Sequence, residues 1–226
     1  MLTKYNNDIQ ILRGYSILLV LLFHLNIPFF SNGYLGVDIF FVISGYLMFS
    51  LYQEKQIVNF YIKRANRILP AFFIIILITI LISLFIANYF DFNSVMRQSI
   101  FSILFIPNIG FWYENSYFDK SLFKPLLHLW SLGIEIQFYL IVPLLFFFRK
   151  YFKHSLIIIF FISIISCFLV LHISPKTSFF IFPLRLWEFL IGAWGVTLIN
   201  SERIQKYKIL NSKFFNIFII SSLIAL

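Results

Sequence analysis

Residues 8–24 of the chain read DIQILRGYSILLVLLFH and residues 36–45 read GVDIFFVISG, and these two stretches decide the fold. An arginine and a histidine lie eleven residues apart inside the first apolar run. At about 100° and 1.5 Å per residue, Arg13 and His24 would share one face of a helix, roughly 16 Å apart along its axis. Because ionisable side chains are costly inside a membrane helix, we expect this face to be the working surface of the protein.

Composition places the chain among membrane proteins. Of its 226 residues, 61% are hydrophobic and 12% are charged, whereas roughly a quarter of a soluble domain is charged. Several apolar runs reach the ~17–20 residues that span a bilayer. The predicted fold class is therefore all-α, a polytopic transmembrane helix bundle in contact with membrane lipids. The single cysteine, Cys167, lies in an apolar run and is interpreted as a packing residue.

Six complete spans are predicted, at residues 9–27, 34–52, 71–89, 129–148, 155–172 and 182–200. A basic loop is expected at 53–70, a polar loop at 112–125 and a turn at 175–176. Residues 94–111 are interrupted by polar side chains and a proline, and they are predicted to form a re-entrant or interfacial helix. The last apolar run, from Phe214, is cut off before it could cross a bilayer. We therefore expect residues 1–226 to be the N-terminal portion of one transmembrane domain, with a truncated last helix.

The basic residues orient the spans, since Lys and Arg concentrate in cytoplasmic loops. With the N-terminus in the cytoplasm and residues 94–111 not crossing, twelve of the 18 Lys and Arg are cytoplasmic and four are outside. If residues 94–111 did cross, the basic segments 149–153 and 202–213 would lie outside. We favour the first arrangement. We therefore attribute the net charge of +9 to basic residues in cytoplasmic loops, which set the membrane topology. No sequence feature suggests nucleic-acid binding.

Several ionisable side chains lie within the predicted spans or at their edges, where such groups usually face a cavity or a partner. They are Arg13, His24, Asp38, His128, Glu135, Arg185 and Glu188. In the favoured topology Arg13 lies near the inner face, with the basic side chains Lys63, Arg64 and Arg67, and the others lie in the outer half. The cationic inner end suits phosphates, and the mixture of His and carboxylates at the outer end suits proton transfer.

Each of the basic candidates also has a structural interpretation. His24 can be an interhelical hydrogen-bonding histidine, and Arg13 can extend to the inner interface. Arg64 and Arg67, three residues apart on one helical face, can be topology-determining charges.

The outer candidates have structural alternatives as well. Arg185 and Glu188 can form a buried ion pair, since they are three residues apart. Asp38 and Ser44 can cap or kink the second helix. His128 can simply lie at the membrane interface.

Five segments taken together resemble the membrane domain of the acyltransferase-3 family, the bacterial O-acetylases of lipopolysaccharide O-antigen and related envelope glycans. The segments are LRGY at 12–15 with His24, GYLGVDIFFVISGY at 33–46, YIKRANRILP at 61–70, LHLWSLGIEIQFYL at 127–140 and PLRLWEFLIG at 183–192. The family often has Glu-Glu-Gln-Phe-Tyr where this chain keeps only the first carboxylate, Glu135. The segments YFD at 117–119 and Arg185-x-x-Glu188 most resemble members that carry a C-terminal SGNH hydrolase-like domain.

The resemblance implies transfer of an acyl group, most often acetyl, from cytoplasmic acyl-CoA to a polysaccharide hydroxyl at the bacterial inner membrane. It implies that His24 is the general base or acyl-transfer residue with Arg13 as its partner, and that Arg64 and Arg67, with the adjacent Lys63, bind the phosphates of acyl-CoA. The remaining candidates would support the reaction or bind the acceptor: Asp38, Ser44, His128, Glu135, Arg185 and Glu188. Acyl-CoA would be a substrate, with no bound cofactor or metal. Further helices and an SGNH domain would be missing from this chain.

Two other functions remain open from the sequence. In a transporter or channel, the same buried ions would line a proton or substrate path, and a discontinuous helix near Pro107 would fit that function. A purely structural membrane subunit is the third possibility, and the clusters of ionisable residues argue against it.

Overall fold

The computed structural model describes residues 7–114 and 123–199, and all regular structure within these ranges is helical. The α-helices there are α1 Asn7–His24, α2 Gly36–Leu51, α3 Ile57–Ile86, α4 Tyr89–Ile103, α5 Pro107–Tyr113, α6 Leu129–Tyr151, α7 Ser155–Ile173, α8 Pro175–Phe180 and α9 Phe182–Ile199. Short 3₁₀ turns, Gly33–Leu35 and Glu54–Gln56, precede α2 and α3. The basic segment 202–213, the run from Phe214 and the YFD motif at 117–119 lie outside the described residues.

The all-α prediction is confirmed for the part of the chain that the structure describes. Four helical segments there are long and apolar enough to cross a membrane: Gly33–Leu51, Glu54–Ile86, Leu129–Tyr151 and Ser155–Ile173. The spans predicted at 9–27 and 182–200 overlap α1 and α9, helices of 18 residues each, which are not among these four segments. The chain divides into two compact units, Met1–Ser50 with Glu188–Leu226 and Leu51–Trp187, which are described separately below.

The predicted basic loop at 53–70 is wrong, because α3 begins at Ile57 and continues for 30 residues through Pro70. A proline inside a helix removes one backbone hydrogen bond, but membrane helices tolerate it because neighbouring groups compensate. The first turns of α3 are held by packing. The ring of buried Phe60 meets that of Tyr52 edge to face at 5.4 Å, and the Tyr61 hydroxyl donates a hydrogen bond to the Leu140 carbonyl at 3.0 Å. The basic side chains of this segment therefore project from a helix.

In the second unit, α3 and α6 run antiparallel. The Lys150 ammonium lies 3.5 Å from the Glu54 carboxylate at one end, and the Tyr61–Leu140 hydrogen bond follows further along both helices. The chain between the two helices consequently leaves and returns at the same end of the unit. The antiparallel pairing of α3 and α6 is the one that the arrangement favoured by the charge distribution requires.

The helices α4 and α5 form a hairpin where the interrupted sequence predicts one re-entrant or interfacial helix. The break lies at residues 104–106, where Phe105 adopts a left-handed φ of 61° and its ring stacks on Phe72, midway along α3, at 5.8 Å. The buried amide of Asn108 then donates to the Phe180 carbonyl at 2.9 Å and accepts from Gln137 at 2.8 Å. These bonds join the Asn108 side chain to α6 and to the last residue of α8, so its polar atoms are paired inside the protein.

The predicted turn at 175–176 is wrong, because these residues begin the short helix α8. Pro175 is at the first helical position, which needs no N–H donor. The Ser174 hydroxyl accepts a hydrogen bond from the Thr177 amide and so caps the helix.

In the first unit, α2 and α9 pack through glycines that let their backbones touch. A Cβ atom on Gly45 would lie 1.9 Å from the Phe189 carbonyl oxygen, and one on Gly192 would lie 1.9 Å from the Val42 carbonyl oxygen. The rings of Phe41 and Phe189, both fully buried, stack at 4.7 Å beside this contact. Small residues at such crossings are typical of membrane helix pairs, where close van der Waals packing drives association.

We expect Gly192→Ala to force α2 and α9 apart and to lower the free energy of unfolding by at least about 3 kcal/mol, the upper end for overpacking a tight contact. The measurement is thermal unfolding in detergent. Gly195→Ala, on the same helix, is the matched control, since a Cβ there would meet Tyr46 at an ordinary 3.5 Å. Equal unfolding temperatures for the two variants would contradict the close helix crossing.

Candidate functional site

The structure distributes the predicted site residues between the two units. The first unit holds Arg13, His24, Asp38, Ser44 and Glu188, and the second holds Lys63, Arg64, Arg67, His128, Glu135 and Arg185. The geometry within each unit defines what each group can do.

His24 is the last residue of α1, and its ring is exposed. Its Nδ1 lies 2.8 Å from the Val20 carbonyl oxygen, one helical turn back. A carbonyl can only accept, so Nδ1 carries the proton of the neutral ring and the lone pair lies on Nε2. The ring is also held edge to face against Phe23 at 5.3 Å. His24 is therefore oriented by its own helix and presents Nε2 as a base.

Arg13 lies on the same uninterrupted helix as His24, which confirms the predicted spacing of about 16 Å along the axis. The Arg13 guanidinium lies over the Phe40 ring of α2, 5.1 Å from its centroid. This is within the range of a cation–π interaction. Because about 16 Å of helix axis separates them, Arg13 cannot hydrogen-bond to His24. Any joint action requires a ligand that extends from one to the other.

Close packing of the second helix and its preceding turn positions the α1 face. A Cβ atom on Gly33 would lie 2.3 Å from the Leu19 carbonyl oxygen, and one on Gly36 would lie 2.4 Å from that of Ser16. The Tyr34 ring meets Phe23, the neighbour of His24, edge to face at 5.7 Å. The GYLG turn thus fixes the end of α1 that carries the histidine.

Asp38, Ser44 and Glu188 occupy different environments in the first unit. Asp38 is half-buried in the first turn of α2, where a carboxylate interacts favourably with the helix dipole. Ser44 and Glu188 are buried, with 2% and 1% of their surfaces exposed. Each directly precedes one partner of the contact between Gly45 and Phe189. They therefore lie where α2 and α9 touch.

In the second unit, Arg64 interacts electrostatically with Glu135 and Tyr139 of α6. Glu135 is buried, with 3% of its surface exposed, and one of its carboxylate oxygens accepts a hydrogen bond from the Tyr139 hydroxyl. The Arg64 guanidinium also lies 5.9 Å from the Phe60 ring centroid. The expected separation of Arg64 at the inner end from Glu135 in the outer half is therefore wrong. The antiparallel pairing of α3 and α6 brings them together.

Lys63 and Arg67 differ from Arg64 because their side chains are exposed. They are four residues apart on α3, so they share one face of the helix. The three cations that the sequence grouped together thus divide into an exposed pair and one arginine that faces a buried carboxylate.

The two remaining candidates of the second unit lie apart from this cluster in the sequence. Arg185, near the start of α9, is half-buried, and its guanidinium lies 5.8 Å from the centroid of the Phe179 ring. His128 is exposed at the residue preceding α6. Its position matches the prediction of a span edge.

Comparison with known sequences decides the family. The family described as an acyltransferase domain matches residues 6–226 of the chain. The chain belongs to the acyltransferase-3 family. No solved structure matches it.

Two curated relatives of this acyltransferase-3 chain carry names that specify an activity. The peptidoglycan O-acetyltransferase OatA of Listeria monocytogenes serovar 1/2a is 38% identical over 149 residues, which cover 62% of this chain and 24% of the relative. The O-acetyltransferase OatA of Staphylococcus aureus is 35% identical over 188 residues, 77% of this chain and 31% of the relative. The chain thus spans about a quarter to a third of the length of the curated relatives it matches.

A polar cluster that the sequence motifs do not include lies at the end of the hairpin formed by α4 and α5. The Glu114 carboxylate lies 3.9 Å from the Arg97 guanidinium, and the Lys176 ammonium donates to the backbone carbonyl of Glu114. Burial raises the pKa of the Glu114 carboxyl above its ordinary value of 4.5, while the charges of Arg97, Lys124 and Lys176 act in the opposite direction. The cluster links α4, α5 and α8 outside the spanning helices.

The raised pKa of the Glu114 carboxyl makes the stability of the fold depend on pH. A carboxyl that binds its proton more tightly when folded favours the folded state at low pH, and this contribution is lost as pH rises from 4.5 through the raised value. Glu114→Gln should therefore unfold at a higher temperature than wild type at pH 7, by about 2 °C or less because partial exposure screens the charge. The gain should vanish at pH 4. Glu54→Gln, at the exposed ion pair with Lys150, is the control and should gain nothing at either pH.

Proposed function

We propose that the protein transfers an acetyl group from cytoplasmic acetyl-CoA to a hydroxyl of a cell-envelope polysaccharide. The observation that carries this proposal is the hydrogen bond from His24 Nδ1 to the Val20 carbonyl, since it leaves Nε2 as an oriented base on the exposed end of α1. Membership of the acyltransferase-3 family supports the reaction class.

The reaction needs one proton acceptor and yields one ester. Nε2 of His24 takes the proton of the acceptor hydroxyl, which belongs to the sugar or to a relay group, and the oxygen attacks the thioester carbonyl carbon. The carbon–sulfur bond breaks, and the departing CoA thiolate receives the proton back from the imidazolium. The acetyl group ends as an oxygen ester and CoA as a free thiol.

The phosphates of the donor are assigned to cations of the second unit. We assign the phosphates of acetyl-CoA first to the exposed pair Lys63 and Arg67, because charge-assisted bonds to phosphate need accessible donors. Arg64 contributes through its position beside Glu135 rather than as an equal member of that pair. In the first unit, His24 is assigned to the thioester, and Arg13, on the same face of α1, is assigned as its partner in that step.

The acceptor that best fits the relatives is peptidoglycan, since one of them is named for that substrate. The O-antigen acceptor implied by the sequence resemblance has no such support. We place the protein in the bacterial cytoplasmic membrane with its N-terminus inside. Asp38, Ser44, His128, Glu135, Arg185 and Glu188 are assigned to support of the reaction or to the acceptor side. An SGNH domain elsewhere in the full-length protein would receive or use the exported acetyl group.

The acceptor is tested by measuring base-labile acetate on purified peptidoglycan from a strain that lacks its own O-acetyltransferase. Expression of the protein at its full natural length should restore ester-linked acetate on the glycan. Acetate that appears on another envelope polysaccharide, with none on peptidoglycan, would correct the acceptor while keeping the reaction class.

The broken helix at 104–106 is the one observation that favours a transporter, because such breaks line substrate paths in transporters. Here the Asn108 side chain, two residues after the break, is already bonded to Gln137 and to the Phe180 carbonyl. Movement of intact acetyl-CoA across proteoliposomes without release of free thiol would establish the transporter instead.

A further inference from the structure

The hydroxyl of a serine on α7 hydrogen-bonds to two backbone groups of α9, in the turn that carries Arg185. The Ser163 hydroxyl donates to the Pro183 carbonyl at 2.6 Å and accepts from the Trp187 amide at 3.0 Å. These two backbone groups, four residues apart, are the pair that a regular α-helix would join directly. Ser163 is buried, with 4% of its surface exposed. Its hydroxyl therefore bridges one rung of the α9 hydrogen-bond ladder.

This use of a buried serine differs from that of three other buried serines. Ser16, Ser99 and Ser102 each donate to the carbonyl four residues back in their own helix, at 2.7–2.8 Å. That local bond is the usual arrangement for a serine inside a helix. Ser163 instead bonds a neighbouring helix at two points. Insertion of a side chain into the ladder is a recognised cause of a local bend.

Arg185 lies at the centre of the bridged turn, between the two backbone groups that Ser163 holds. Its guanidinium lies beside the Phe179 ring, so the direction of the side chain depends on how the turn is set. A change of about 1 Å in the position of a binding group is enough to reduce activity greatly. The hydroxyl of Ser163 is therefore placed to control where the arginine points.

We propose that Ser163 is a positioning residue for acetyl transfer, holding the turn 183–187 so that Arg185 can bind the acceptor. This inference rests on the proposed function and deepens it. Removal of the hydroxyl should raise the KM for the acceptor, while the KM for acetyl-CoA stays unchanged. We expect the increase to be about tenfold, since a misplaced group loses orientation rather than charge.

The test compares Ser163→Ala, Ser163→Thr and Ser99→Ala in the protein at its full natural length. Threonine retains a hydroxyl and should restore the wild-type acceptor KM. Ser99→Ala is the matched control, because it removes an equally buried hydroxyl whose bond stays within one helix. If Ser163→Ala does not fold, Ser163→Cys replaces it, since its thiol is a weaker partner and should shift the KM in the same direction.

A second measurement reports the bridge independently of activity. In protein labelled with ¹⁵N-tryptophan, the backbone amide resonance of Trp187, assigned by its loss in Trp187→Phe, should move in Ser163→Ala and not in Ser99→Ala. An unmoved resonance would overturn the bridge. A moved resonance with an unchanged acceptor KM would overturn the positioning role alone. A wild-type protein without acetyl transfer would remove both the proposed function and this role, whatever the resonance shows.

Discussion

His24→Asn is expected to abolish acetyl transfer, with a loss of at least about 100-fold, the contribution typical of a positioned general base. The asparagine amide nitrogen can take the place of Nδ1 and keep the bond to the Val20 carbonyl, so the end of α1 should remain intact. What is removed is Nε2. The measurement is the rate of ester formation on the acceptor at saturating acetyl-CoA, together with the protein level in the membrane.

The chain supplies a matched control for this substitution. His172 lies in the last turn of α7, is exposed, and packs edge to face on Phe168 at 4.9 Å, much as His24 packs on Phe23. His172→Asn should leave the rate unchanged. Equal losses for the two variants would show that both act on folding, and full activity of His24→Asn would remove this residue from the mechanism.

Arg64→Ala is expected to lower the free energy of unfolding, because it removes a cation that interacts electrostatically with the buried Glu135. Because Arg64 is half-exposed, solvent screens its charge interaction with Glu135, and we expect a loss of about 1 kcal/mol. Thermal unfolding in detergent measures this loss. Glu135→Gln combined with Arg64→Ala should recover part of it, since a neutral amide needs no counter-charge.

Arg67→Ala separates this structural effect from donor binding. The two arginines are of the same type and three residues apart on α3, but the Arg67 side chain is exposed. Its removal should change the free energy of unfolding by no more than about 0.5 kcal/mol and should raise the KM for acetyl-CoA. Equal destabilisation by both variants would contradict the different environments of the two residues.

The features that sequence alone predicts are those that depend on local geometry. The shared face and spacing of Arg13 and His24 follow from the helical repeat once the run is known to be helical. The polar residues and the proline within 94–111 interrupt its apolar pattern, so the sequence predicts a re-entrant or interfacial segment there. The pairing of Glu135 with Tyr139 is also within reach, because residues four apart in a helix are neighbours.

The features that sequence does not predict depend on how distant helices meet. From the sequence, Pro70 predicts the boundary at which a helix begins. In the structure α3 continues through Pro70, because the packing of the first turns of α3 outweighs one lost backbone hydrogen bond. The approach of Arg64 to Glu135 depends on the register of α3 against α6, which neither segment specifies alone. The bridge by Ser163 has no signal in the sequence, since a serine in an apolar run usually bonds its own helix.

In the proposed mechanism, this protein cleaves the acetyl-CoA thioester with His24 as the base. The most direct test measures free thiol released from acetyl-CoA by the purified protein at its full natural length, with peptidoglycan fragments as acceptor. We predict that wild type releases thiol in step with ester formation, while His24→Asn binds acetyl-CoA and releases thiol only at the background rate. Thiol release at the wild-type rate by His24→Asn, or none by wild type, would contradict the account.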